Sequence, residues 1–166
     1  WDDRQHICQN PFFNPPSWEN LVMLWKQPYF GLYAPMAYSL WSLPVIIARE
    51  TWGIGSNCLS WGPPFHFLNV SLHAINTMLV FYLLQRFQVL FCTSPAENNA
   101  DATRSANGNL EPLFGALLFC LHPMQVELVA WVSGERDLLC APFGFVGLAL
   151  FLNSRWIWAN IFFALS

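Results

Sequence analysis

Apolar residues run in long blocks along this chain, broken by short polar interruptions, and the blocks set the expected elements. Residues 63–87 form the clearest block: it opens on Pro63-Pro64, where a first helical turn needs no amide hydrogen, and it is long enough to cross a hydrocarbon core of about 30 Å. Within it His66, Asn69, His73 and Asn76 recur at helical spacing and place one polar stripe on an apolar cylinder, a stripe that must face protein or water. The block over 110–132 predicts a second helix, kinked at Pro123, whose ring removes a backbone hydrogen bond. The block over 138–152 predicts a return across the membrane, and Ser154-Arg155 a tight turn before another span opens at Trp156.

The pattern is less regular towards the amino terminus. Residues 1–30 are aromatic, proline-rich and polar; they predict a loop with a short helix capped by Ser17, whose face of Trp18, Leu21, Leu24 and Trp25 suits a membrane interface. Residues 31–48 approach the length of a spanning helix, but Pro35 and Pro44 interrupt them and Tyr33, Tyr38, Ser39, Trp41 and Ser42 make them amphipathic, so a broken helix lying along the membrane surface is expected. Residues 93–109 are small, polar and aperiodic, as in a mobile loop. The expected fold is all-α: a fragment of a polytopic membrane helical bundle with a lumenal or periplasmic first loop and an interfacial amphipathic helix. Its parts are the first loop with its surface helix over 1–62, a transmembrane helix over 63–87, a mobile loop over 88–109, and further transmembrane helices over 110–166, for three to four crossings in all.

Composition agrees with a bilayer environment: 55% of residues are hydrophobic and only 10% charged, against about a quarter charged in soluble domains. The net charge of -3 and the scattered basic residues exclude a nucleic-acid footprint. The five cysteines form no CxxC pair, which argues against structural zinc; Cys8 and Cys58 lie in polar loops and can pair if those loops face an oxidising lumen. The absence of an initiator Met and the apolar end at Ser166 lead us to expect a piece of a longer protein, with any leader upstream and with residues 1–166 inactive by themselves.

One polar run stands out against this background. His122, Glu127, Glu135, Arg136 and Asp137 fall between two apolar blocks, and ionisable groups at membrane depth cost about 2.5–3.5 kcal/mol each on insertion scales, so they mark a reaction cavity or a pathway. His66, His122 and Glu127 offer metal-ligand chemistry, but their spacing matches no metal signature and no metal is expected.

The H-x-x-N-x-x-x-H pattern from His66 through Asn69 to His73, and F-x-x-H-P-x-x-V-E-x-V-A-W-V from Phe119 to Val132, are followed by Arg136-Asp137-Leu138-Leu139. Together with the Trp1-Asp2-Asp3 start and the Asn10-Pro11 step, they resemble the transmembrane and tetratricopeptide-repeat protein O-mannosyltransferases and their bacterial relatives over most of residues 1–153. Two steps depart from that family: Tyr33-Ala34-Pro35-Met36 replaces its Arg-Pro-Leu or Tyr-Pro-Leu step, and Gly134-Glu135-Arg136-Asp137 replaces a more basic run.

The resemblance implies a glycosyltransferase of the C superfold that moves a sugar, mannose by family, from a dolichyl or other polyprenyl phosphate to Ser or Thr of an acceptor protein, with inversion. The phosphosugar is then the donor substrate, and no separate cofactor is expected. The partners it implies are membrane lipid, the polyprenyl-phosphate donor and the acceptor protein. The location is an integral membrane position, in the endoplasmic reticulum of a eukaryote or the inner membrane of a bacterium, and tetratricopeptide repeats are expected beyond residue 166.

In that scheme Asp2 or Asp3 is the catalytic carboxylate, and His66, Asn69, His73, His122, Glu127, Arg136 and Asp137 are candidates for holding the donor phosphate or sugar. Arg136 is the favoured cation because a guanidinium offers a planar fork of donors. The competing readings are structural: an interfacial Arg136 paired with Asp137 or Glu127, and a stripe from His66 to Asn76 that bonds neighbouring helices. A noncatalytic membrane scaffold and a transporter remain the alternatives to an enzyme.

Overall fold

The computed structural model of the protein describes residues 4–13, 16–52, 62–92 and 110–166. After a π-helical turn at Arg4–Cys8 come α1 (Trp18–Lys26), α2 (Pro35–Trp52), α3 (Gly62–Cys92), α4 (Leu110–Leu121), α5 (Pro123–Ala130), a 3-10 turn at Val132–Gly134, α6 (Glu135–Leu152) and α7 (Trp156–Leu165). Among the described residues there is no strand, only isolated bridges from Phe13 to Pro16 and from Tyr29 to Leu32. The expected all-α class is what the chain adopts.

Local signals explain most boundaries. The Ser17 hydroxyl accepts the Asn20 amide at 3.1 Å and so caps α1 as its sequence predicts. Pro35 takes the first position of α2, where a missing N–H is harmless, and Pro44 sits inside a helix that continues to Trp52. The expected break in 31–48 therefore does not occur: Tyr38, Trp41 and Val45 share one buried face, and their packing holds the helix through the single bond that Pro44 removes. The helix over 63–87 is likewise longer than expected. Residues 88–92 extend α3 rather than opening a loop, with Phe87 stacked on Phe91 and Gln88 donating to Glu111 at 3.3 Å. The expected mobile loop at 93–109 lies outside the described residues.

The kink at Pro123 is a full break, with α4 and α5 bent by 54°. His122 caps the new helix: its Nδ1 accepts the Met124 amide at 3.2 Å and its carbonyl accepts the Gln125 amide at 2.9 Å. Ser154, at φ 59°, turns the chain from α6 into α7, as the Ser154-Arg155 step predicts.

Among the described residues, only Gly62–Phe91 is by itself long and apolar enough to cross a membrane; α4 and α5 pass the same test together as a bent pair. Among the described residues, one or two segments are thus long and apolar enough to cross, where the sequence predicts three to four crossings.

The chain packs as two compact units. The first comprises Trp1–Ser71 and Glu127–Asp137, around a core of Ile7, Phe13, Leu24, Tyr38, Trp41, Val45, Phe65 and Val132. The second comprises Leu72–Val126 and Leu138–Ser166. There Leu84 closes on Gly115, Phe119 meets Phe145 edge-on, and the Phe163 ring lies against Gly147, where an added Cβ would stand 3.1 Å away.

Candidate functional site

The first unit gathers polar groups around its aromatic core. His6, in the π-helical turn at Arg4–Cys8, is buried and its Nδ1 lies 3.1 Å from the Tyr38 hydroxyl. Four rings, of Tyr29, Phe30, Tyr38 and Trp41, surround its imidazole with centroids 5.7 to 6.3 Å away. Asn10 pins the same turn, donating to the His6 carbonyl at 3.0 Å and accepting the Phe12 amide at 2.9 Å. The chain just after Asp3 is therefore fixed, while Asp2 and Asp3 themselves lie outside the described residues.

Asn69 brings the second element to this core. Its amide donates to the carbonyls of Val129 (3.2 Å) and Trp131 (2.7 Å) at and just past the end of α5; the second also accepts the Gly134 amide at 3.2 Å. The chain then turns so tightly at Gly134 that a side chain there would fall on the Leu128 carbonyl, and Val132 enters the core. The next residue, Glu135, is wholly buried.

Glu135 is the most unusual group in the unit. Neither carboxyl oxygen has a hydrogen-bond partner, and the equally buried Trp41 indole N–H also lacks one. Burial pushes the Glu135 carboxyl up to about 8; the Trp41 N–H faces it and offsets part of this without reaching hydrogen-bond geometry. The carboxyl precedes the apolar run that starts at Leu138 and is held neutral at pH 7. Beside it, half-buried Arg136 projects its charge towards Tyr38, whose phenol burial raises and the guanidinium pulls down.

The predicted donor-site residues separate accordingly. In the first unit Asn69 is buried and Arg136 half-buried, whereas Glu127 and Asp137, at the ends of its second segment, are exposed. His66 is exposed on the first turn of α3, its ring lying back over Gly62. His73 and His122 belong to the second unit.

In that unit His73 Nε2 donates to the Cys120 carbonyl at 3.0 Å and its ring stacks on Phe119, which leaves a buried, unpartnered Nδ1. The His122 ring is exposed, with its Nδ1 accepting the Met124 amide. Asn76 donates to the Leu138 carbonyl at 2.9 Å, as in the competing structural reading of the stripe. Among the described residues no three His, Cys, Asp or Glu side chains are placed to share a metal ion. Cys8 is disulfide-bonded, and its expected partner Cys58 lies outside the described residues.

The sequence places Glu135 in the polar run and Tyr38 on an amphipathic segment, but neither they nor His6 are among the expected site residues. For Glu135 a signal existed: it stands three residues before Leu138, so a helix that buries Leu138 carries both on one face. His6 and Tyr38 lie 32 positions apart, and nothing local announces their meeting.

Comparison with known proteins gives the site a chemical context. The chain is 39% identical over 80 residues to the human protein O-mannosyl-transferase TMTC4 and 37% identical over 79 residues to its mouse counterpart. These relatives are sugar transferases by name. The matched stretch is 48% of this chain and 10% of each relative, so the chain spans only a small part of their length. No family model matches the chain, and no solved structure does. The resemblance read from the H-x-x-N-x-x-x-H and H-P-x-x-V-E motifs thus agrees with these matches as a partial likeness to one kind of enzyme.

Proposed function

We propose that this chain is part of a membrane-embedded glycosyltransferase that moves a sugar, mannose by analogy with the relatives' name, from a polyprenyl or dolichyl phosphate to Ser or Thr of an acceptor protein. The observation that carries the reading is the likeness to protein O-mannosyl-transferases over 80 residues. The architecture agrees in kind: an all-helical chain, a helix able to cross a bilayer, and a fixed turn immediately after the two aspartates. Such an enzyme would lie in the endoplasmic reticulum membrane of a eukaryote or the inner membrane of a bacterium, with the Cys8 disulfide in an oxidising compartment.

In this mechanism the acceptor oxygen attacks the anomeric carbon, the bond from that carbon to the phosphate oxygen breaks, and the acceptor proton passes to the carboxylate of Asp2 or Asp3. Arg136 supports charge on the departing phosphate, and Asn69 holds the backbone that carries it. The exposed ring of His66, in the same unit, is a further donor for the sugar or phosphate.

Radiolabelled sugar transfer by the full-length protein tests the proposal. One of Asp2→Asn and Asp3→Asn should lower turnover by about 10²–10⁴-fold. Full activity in both variants would remove the base and with it the enzyme reading.

A further inference from the structure

Between α1 and α2 the first unit carries a groove of about 470 Å³, lined by Trp18, Leu21, Val22, Trp25, Lys26 and Ser39. We propose that this groove seats one acyl chain of an anionic phospholipid, with its headgroup against Lys26. The inference uses only the membrane setting of the proposed function and none of its chemistry.

Three observations fix the occupant. The walls are apolar apart from the two polar side chains, and the volume falls within the usual range for small-ligand sites. The two tryptophans that flank the groove remain 79% and 52% exposed, a heavy apolar exposure that a bilayer interface relieves. The surface continues along α2, where Met36, Leu43 and Ile47 form an exposed apolar row at helical spacing, opposite the face that Tyr38, Trp41 and Val45 bury. A helix apolar on both sides is buried on one by protein and needs cover on the other.

Charge selects the headgroup. Of the two charged residues of α1, Glu19 stands at its start outside the groove, and Lys26 lines it. The groove does not fit a sugar-bearing lipid. Its one hydroxyl, Ser39, is already engaged, donating to the Pro35 carbonyl at 2.8 Å and accepting the Trp25 indole N–H at 3.0 Å, which leaves Lys26 alone to meet a headgroup and no set of donors and acceptors for several sugar hydroxyls. The strongly polar residues 93–109 are equally unsuited to an apolar slot.

The test is tryptophan quenching in the full-length protein, reconstituted in nanodiscs that contain phosphatidylglycerol or phosphatidylcholine with brominated acyl chains. The chain holds nine tryptophans, so the signal is read as the difference between the wild type and Trp18→Phe/Trp25→Phe. We expect this difference signal to be quenched more by brominated phosphatidylglycerol. Lys26→Gln, an exposed change, should weaken that preference about fivefold. Val22→Phe, which fills the slot, should lower quenching by both lipids. Equal quenching by the two lipids in the wild type would reduce the groove to ordinary interfacial contact and overturn the seat, as would no quenching at all. Displacement by added polyprenyl phosphate would assign the groove to the donor instead. None of these readouts requires sugar transfer, so loss of the transferase reading and loss of the lipid seat are separable.

Discussion

Glu135→Gln should stabilise the protein at neutral pH and flatten its pH dependence. The Glu135 carboxyl has an ordinary value of 4.5 in the unfolded chain and about 8 in the fold. Between those values the folded protein holds a proton that the unfolded chain releases, so stability falls as pH rises, by about 1.4 kcal/mol per unit. Below pH 4.5 both states are protonated and there is no penalty; above 8 both are ionised and the loss is complete. At pH 7 the fold has given up about 3 kcal/mol, an order-of-magnitude figure for a group with 0% exposure. Glutamine copies the shape of the neutral acid and leaves polar atoms unpaired in the same way, so the two side chains are nearly equivalent at pH 4 and diverge above it. Reversible unfolding of the full-length protein in mixed micelles, followed from pH 4 to 9, measures the divergence. Parallel pH curves for the wild type and Glu135→Gln would refute a buried neutral carboxyl.

Further outcomes follow from the same packing. Asn69→Ala should cost about 1–3 kcal/mol in unfolding experiments, for two lost bonds to backbone carbonyls, and Asn69→Asp should fare no better because a carboxylate cannot donate to Val129 and Trp131. Gly134→Ala should be far more damaging than Gly31→Ala in thermal melts: the first places a methyl on the Leu128 backbone, whereas the second meets no atom within 4 Å and carries only the cost of φ +77°, about 1 kcal/mol. Asn76→Leu should be destabilising alone and much less so with Pro142→Ala. A double-mutant cycle should show coupling of about 1 kcal/mol, and strict additivity would contradict the role assigned to Asn76 below.

The secondary structure was legible where the signal is local. Ser17 caps α1, Pro63-Pro64 opens α3 and Pro123 divides α4 from α5 because each acts on its own turn. Where tertiary packing outweighs a local rule the reading erred: α2 continues through Pro44 because its buried face compensates, and α3 continues to Cys92 on contacts with α4 that lie beyond a 17-residue polar stretch. The candidate site was visible as a polar run but not as an arrangement. Of Glu127, Glu135, Arg136 and Asp137, the buried member is Glu135, because Gly134 turns the chain against Leu128 just before it.

The polar stripe of α3 shows how one pattern admits two readings until the carbonyls are counted. An apolar chain that puts prolines in its helices must find other donors for the backbone groups those prolines strand. Pro142 has no N–H for the Leu138 carbonyl four residues earlier, and Asn76 supplies one at 2.9 Å. Pro123 ends α4, the Met124 amide turns to His122, and the stranded Cys120 carbonyl accepts from His73. Where α5 ends, the carbonyls of Val129 and Trp131 accept from Asn69. Three of the four stripe residues are thus matched to interruptions elsewhere in the chain, each within its own unit, and their regular spacing follows from that structural need without any ligand. His66 is the member with no such carbonyl among the described residues: it is exposed near the start of α3, and it is the stripe position that the proposed transfer would use. The motif that resembles a sugar transferase is therefore mostly scaffold, and variants at His66 should affect transfer with little effect on stability, while those at Asn69, His73 and Asn76 should reduce both.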